Sequence, residues 1–200
     1  MSIKVYDNFL EEKPFKWIQG SMLGCEVNWR CGTVMNPAVD DMLCDDIDNI
    51  QFCNWIYHNF RPQGPEYELM QPIISHPELE ICSLHRIKAN LTMRTSEIIK
   101  HGFHKDGNGD YMVAIYYVNT NDGYTEFEDG TKIESVENRL LVFDSSLSHT
   151  GTTCTDARVR CVINFNYHPE NYGHTKDSIN RNSSSSYRNG CCSGWQSSDR

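Results

Sequence analysis

The sequence predicts a mainly β domain with flanking helices, an antiparallel barrel or a double-sheet jelly roll, on three observations. Short runs rich in β-branched and aromatic residues recur between residues 82 and 167. Turn residues, not helical spacers, separate them, which argues against a parallel α/β sheet. Helical periodicity is confined to the N-terminal side. At 200 residues and 23.1 kDa the chain holds one sizeable core, assigned here to residues 1–177.

Residues 11–24 place Phe15, Ile18, Met22 and Leu23 at helical spacing, with Pro14 tolerable in a first turn and Gly24 at the stop. Phe15 and Trp17 are read as packing residues. Between Gly32 and Pro65 the pattern is irregular and no element is assigned. Residues 66–80 carry Tyr67, Met70 and Ile74 on one side but also two prolines, which predicts a broken helix.

From Cys82 the texture becomes alternating. Leu84, Arg86, Lys88 and Asn90 interleave with His85, Ile87, Ala89 and Leu91, as on a strand with one polar face. Residues 111–119, YMVAIYYVN, form a second strand bounded by Gly109 and by Asn121, Asp122 and Gly123. YTEFEDGTKIESV turns at Asp129-Gly130, a hairpin dipeptide, and LLVFD (140–144) and VRCVINFNY (159–167) are further apolar strands. Residues 178–200, rich in Ser, Asn and Gly, read as a flexible tail.

With 18 basic against 27 acidic side chains the net charge is −9, which argues against phosphate-backbone binding and leaves room for a small basic pocket inside an acidic shell. A mean hydropathy of −0.57, and no apolar run long enough to span a bilayer, exclude a helical membrane protein. Lys4, Asp7, Glu11 and Glu12 break the opening stretch, so no secretory leader is expected and a cytoplasmic location is. The nine cysteines are odd in number and match no usual zinc spacing, so they are read as reduced thiols.

The chemistry sits in a few residues. HGFHKDGNGD contains a His-x-Asp, His104 and Asp106, ahead of the strand at Tyr111, and His149 follows the strand LLVFD. Two histidines and one carboxylate near strand ends are the side chains needed for a facial triad on non-haem Fe(II). Three ligands on one face of an octahedron leave three positions, enough for a two-oxygen chelating co-substrate and dioxygen. Taken singly, His104 and Asp106 would be a loop hydrogen bond and His149 an unrelated imidazole. The next strand adds weight, because TDARVRCVINFNY carries Arg158 and Arg160 among Val, Ile, Phe and Cys. A guanidinium on a core strand is unfavourable unless it has a carboxylate to hold, and a dicarboxylate chelating a metal would present its far end to such a fork. Strand parity puts both arginines on one face and does not choose between them. Ser145, Ser146 or Ser148 with Asp144 and His149 would suggest a hydrolase, but no G-x-S-x-G elbow is present.

Together His104-Lys105-Asp106, His149, the following arginine, IYYVN and GYTEF resemble the Fe(II)/2-oxoglutarate-dependent dioxygenase superfamily, in particular its prolyl 4-hydroxylase-like branch of phage and bacterial type. The resemblance covers about residues 82–167, and its motifs are specific in combination. It implies a double-stranded β-helix, the cupin-like jelly roll, with Fe(II) on His104, Asp106 and His149. It also implies that the 2-oxoglutarate C5 carboxylate meets Arg160, because RCVINFNY resembles the family's final strand; Arg158 is the alternative. Tyr117 and Thr125 would assist, Thr125 in a run where the family has Gly-Gly-x-Thr-x-Phe and this chain has Asp122 for the first glycine.

The implied reaction converts 2-oxoglutarate and dioxygen to succinate and carbon dioxide and hydroxylates a C–H bond of a second substrate, a prolyl or other peptide side chain. Ascorbate would keep the iron reduced. No nucleic acid or membrane partner is expected, and the sequence sets no oligomeric state. The competing class is a noncatalytic jelly-roll module that binds metal or ligand without turnover.

Overall fold

The computed structural model describes residues 3–33 and 50–170. The stretch read as a tail, 178–200, lies outside the described residues, as do residues 34–49 of the stretch left unassigned. The order is β1 (Lys4–Tyr6), α1 (Glu12–Leu23), β2 (Arg30–Thr33), β3 (Ile50–His58), β4 (Arg61–Pro62), α2 (Glu66–Leu69), α3 (Gln71–Ile74), β5 (Ile81–Met93), β6 (Met112–Tyr117), β7 (Tyr124–Phe127), β8 (Lys132–Glu134), β9 (Arg139–Asp144), β10 (His149–Gly151) and β11 (Val159–Pro169). One antiparallel sheet runs β1-β9-β6-β11-β5-β3-β2, with β4 on β3, and a smaller one runs β10-β7-β8. This is the predicted jelly roll.

Alternation along the central strands explains how one sheet serves two cores. Ala114 and Tyr116 on β6, Leu140 and Val142 on β9, and Ile163 and Phe165 on β11 face the helices, where α1 buries Phe15, Ile18 and Met22. Each Val, Leu, Ile, Phe or Met side chain among them contributes roughly 1.5–3 kcal/mol by leaving water. The intervening residues Val113, Ile115, Tyr117, Leu141, Phe143 and Val162 face the small sheet. There Phe127 meets Phe143 edge to face at 5.0 Å. Trp17 departs from its expected packing role: its side of α1 is turned outward and the ring is 59% exposed.

β5 carries the same division, Ile87 and Ala89 in the helix-side core and Arg86, Lys88, Asn90 and Thr92 on the wall of a cavity. Leu84 breaks the alternation read from sequence. β11 shifts register between Asn166 and Tyr167, so Arg86 pairs with Asn166 while Leu84 pairs with Tyr167. The extra residue, His85, turns Leu84 over to the helix side, where it packs. The hairpin at Asp129-Gly130 forms as expected, Gly130 adopting φ +86°.

The N-terminal third supplies the strands that sequence did not assign. β3 pairs along β5 from Gln51 to Tyr57 and extends the large sheet beyond the cavity. Residues 66–80 give two one-turn helices, α2 and α3, as the prolines require. Among the described residues no helix is long and apolar enough to cross a membrane.

Candidate functional site

The cavity, about 180 Å³, lies on the inward face of the large sheet and is lined from β5, β11, β10 and the segment leading to β6. Its two histidines are brought together by backbone pairing. His104 N donates to His149 O at 3.0 Å and His149 N donates to His104 O at 2.9 Å, an antiparallel bridge that extends the small sheet. Directly opposed residues of such a bridge present side chains on the same side. The rings stand 4.6 Å apart between centroids.

Each imidazole has its Nδ1 against the carbonyl two residues earlier, His149 on Leu147 O at 3.1 Å and His104 on Gly102 O at 3.4 Å. With Nδ1 protonated, that arrangement leaves Nε2 as the lone-pair nitrogen on both rings, the tautomer a metal ligand requires. Burial, then the neighbouring His104, hold the His149 imidazole down to about 4, against the pull of Asp106. His149 is therefore neutral at physiological pH.

Asp106 follows His104 by two residues and is nearly buried, its side chain 8% exposed. Both carboxylate oxygens are held: Arg86 Nη2 donates to Oδ1 at 3.2 Å and Asn166 Nδ2 to Oδ2 at 3.3 Å. Arg86 Nε also donates to Asn166 Oδ1 at 3.2 Å, closing a three-membered ring of contacts. Tyr111 Oη donates to the Asp106 backbone carbonyl. Burial would raise the Asp106 carboxyl, but Arg86, the two imidazoles and the Asn166 amide outweigh it and hold it below the ordinary carboxylate range.

Among the described residues no three His, Cys, Asp or Glu side chains converge to hold a metal ion as they stand. The donor chemistry nonetheless fits a divalent first-row metal: two imidazoles side by side, that of His149 neutral, and one ionised carboxylate, with no cysteine in the cavity lining. Both Asp106 oxygens are already engaged, by Arg86 and Asn166. A metal would have to draw the carboxylate from that pair.

At the other end of the cavity stands Arg160, 5% exposed on β11. Nε donates to Ser135 Oγ at 2.9 Å and Nη2 to Thr125 Oγ1 at 3.2 Å. Tyr117 Oη donates to the same Thr125 oxygen at 2.8 Å, and the guanidinium lies 5.8 Å from the Tyr117 ring centre. No carboxylate pairs with Arg160 among the described residues. Burial depresses the guanidinium, and the neighbouring Tyr117 opposes it. Because Thr125 Oγ1 accepts from both Arg160 and Tyr117, its own hydroxyl proton is left to donate to a further acceptor. Burial likewise raises the Tyr117 phenol.

The structure thus groups Arg160, Tyr117 and Thr125, and pairs His104 with His149. It leaves Arg158 exposed, one residue before β11 begins. His101 lines the cavity, and His85 is exposed with its ring 5.1 Å from Tyr111. Sequence reading missed Arg86, Asn166 and Ser135 as partners. Arg86 carried a signal, since it sits on the polar face of β5; Ser135 carried none.

Three solved structures share this architecture. A prolyl hydroxylase from Trichoplax adhaerens, in complex with a hypoxia inducible factor oxygen degradation domain peptide fragment, aligns with a TM-score of 0.55 at 16% identity, over 88% of this chain and 87% of that one. A 2OG-Fe(II) oxygenase family oxidoreductase from Burkholderia pseudomallei gives 0.58 at 12% identity, over 83% and 84%. The fold is that of the 2-oxoglutarate oxygenases. HygX from Streptomyces hygroscopicus, with nickel, 2-oxoglutarate and hygromycin B bound, gives 0.51 at 11% identity, over 84% and 83%. No protein-family model matches the chain, and no curated protein does.

Proposed function

We propose that the protein is an Fe(II)- and 2-oxoglutarate-dependent dioxygenase that hydroxylates a C–H bond of a second substrate. The observation that carries this reading is a buried arginine without a carboxylate, fenced by Thr125, Ser135 and Tyr117, in the same cavity as two histidines paired through their backbones. A buried cation without a counter-charge is a structural liability unless a ligand supplies one. A co-substrate carboxylate would take the Arg160 fork and the Thr125 hydroxyl proton together.

In this reading His104, Asp106 and His149 hold iron, which when bound supplies the oxidative decarboxylation of 2-oxoglutarate by dioxygen. The protein orients the co-substrate through Arg160 and keeps His149 neutral. The apolar walls Ile115 and Val162 exclude water beside the reacting centre. Ascorbate would keep iron ferrous. A cytoplasmic location agrees with the free thiols of the described cysteines. On resemblance alone the oxidised group would be a prolyl or other peptide side chain; the cavity lining supports another class, argued below.

Anaerobic titration with Fe(II) and 2-oxoglutarate, followed at the metal-to-ligand charge-transfer band, tests the reading. Absorbance should grow to a one-to-one end point and vanish in His149→Ala. A flat trace for the wild type, or an unchanged one for the variant, overturns it. The engagement of Asp106 by Arg86 and Asn166 favours one competitor, a noncatalytic module in which that contact is permanent. Succinate release on adding Fe(II) separates the two, since a binding module releases none.

A further inference from the structure

The charges that line the cavity do not balance. Arg86, Lys88 and Arg160 face a single carboxylate, Asp106, in a chain whose net charge is −9. Arg86 is satisfied by Asp106 at 3.2 Å. Arg160 is reserved, on the oxygenase reading, for the co-substrate. A divalent metal and the dianion 2-oxoglutarate cancel one another, so a loaded site keeps the same cationic excess. Of the three cations, Lys88 is the one with neither a protein carboxylate nor the co-substrate assigned to it: the described ion pairs involve Lys16, Lys100, Lys132, Arg86 and Arg139, and none reaches Lys88.

Lys88 is also out of reach of the group that holds the co-substrate. Arg160 pairs with Thr92 and Asn164 with Lys88, four positions along the strand, or roughly 13 Å at about 3.3 Å each. The side chains diverge further. Lys88 Nζ lies over the Trp55 ring of β3 at 5.3 Å, whereas Arg160 lies against Tyr117 of β6 on the opposite side of β11. The Oδ1 atoms of Asn164, directly across from Lys88 on β11, and of Asn90, two positions along β5, are shut off from bulk water and have no protein partner, as has Thr92 Oγ1. Buried acceptors of this kind are normally satisfied, and a ligand that brings N–H or O–H groups would satisfy them.

We propose that Lys88, flanked by Asn90 and Asn164, is the subsite for the second substrate, and that this substrate is a small α-amino or α-hydroxy acid. Its carboxylate meets the Lys88 ammonium and its adjacent ammonium or hydroxyl donates to the asparagine carbonyls. The assignment rests on the dioxygenase reading for the role of the bound acid. A prolyl peptide would bring amide donors but no charge to this position, and is the competing outcome.

The test reads binding without turnover. Protein loaded with Co(II) and N-oxalylglycine, which fills the Arg160 end, is incubated with a pool of free L-α-amino acids and L-α-hydroxy acids and, separately, with the matching pool of carboxamides. Retained molecules are identified by mass spectrometry after rapid gel filtration. At least one acid should be retained tenfold over its carboxamide, lose that advantage in Lys88→Gln and recover it in Lys88→Arg, with Co(II) binding verifying the fold of each variant. Retention of no acid, equal retention of acid and carboxamide, or an advantage indifferent to Lys88→Gln overturns the proposal. So does a neutral prolyl peptide that binds where no acid does. A flat Fe(II) and 2-oxoglutarate titration beside an intact acid preference would remove the oxygenase reading and leave the anion subsite; the reverse pattern removes the subsite alone.

Discussion

Replacing Arg160 by methionine should separate stability from ligand binding. In the ligand-free protein the guanidinium is buried with only two hydroxyl partners, Ser135 at 2.9 Å and Thr125 at 3.2 Å. Desolvating such a cation costs several kcal/mol, and hydrogen bonds to a charged group return about 1.5–3 kcal/mol each. Methionine of similar length removes the desolvation term and strands little: Thr125 keeps the Tyr117 hydroxyl at 2.8 Å, and only Ser135 loses a partner, at about 1 kcal/mol. The net expectation is a ligand-free protein more stable by about 1–2 kcal/mol, with a midpoint higher by roughly 2–4 °C per kcal/mol for a domain of this size. The wild type should in turn gain about 2.7 kcal/mol from co-substrate at a hundred times its Kd, and the variant nothing at that concentration. Calorimetric melts under argon, with Co(II) and with or without 2-oxoglutarate, measure both effects. A ligand-free Arg160→Met that loses 2 kcal/mol or more would show the guanidinium to be a fold element. A variant that keeps the 2-oxoglutarate shift would refute the assignment of Arg160 as the carboxylate anchor.

Two further expectations follow from neighbouring groups. Because burial and His104 hold His149 at about 4 while the unfolded imidazole titrates near 6.5, the unfolded chain binds a proton the folded one refuses between those values. The metal-free protein should therefore have this stability in full above pH 6.5 and lose it as pH falls towards 4, on the order of 3 kcal/mol, and urea melts of His149→Phe should lack that slope. Gly123→Ala should weaken 2-oxoglutarate and spare the metal, since a Cβ there would stand 2.5 Å from Thr153 O and 2.7 Å from Arg160 Cδ and push the guanidinium from its seat. Equal losses of Co(II) and 2-oxoglutarate affinity, measured by calorimetry, would show a general disruption instead.

How much of this was legible in sequence depends on whether a residue's role is set locally or across strands. The strands β5 to β9 and β11 were readable and the three-residue β10 was not, because period-two alternation is a local signal that needs some length: on β5, Ile87 and Ala89 face one core while Lys88 and Asn90 face the cavity, as their positions imply. β3 was not, because IQFCNWIYH mixes Gln, Asn and Cys with its hydrophobes. One face buries Ile56 but also the polar Asn54, while Cys53, Trp55 and Tyr57 on the other are half-buried, so alternation loses its contrast. The proximity of His104 and His149 is a register effect, fixed by one backbone bridge across 45 positions, and composition does not encode it.

The glycine at 123 shows the intermediate case. Resemblance preserved it and lost its neighbour at Asp122, and the structure supplies the reason. Asp122 is exposed and turns outward, where its carboxylate accepts from the backbone of Thr155 at 2.7 Å, so a side chain is tolerated there. Gly123 lies where Arg160 and the Thr153 carbonyl close in, so one is not. In the loop before β7, a side chain is thus tolerated at the exposed position and excluded at the one where Arg160 closes in. The same criterion separates Arg160, whose face is enclosed by Thr125, Ser135 and Tyr117, from Arg158, which shares its parity but lies beyond the end of the strand, in solvent. Parity does not separate the two residues; the strand end, set by where β5 stops pairing at Met93 opposite Val159, puts Arg158 in solvent and Arg160 in the cavity, which is why Arg160 is the one proposed as the anchor.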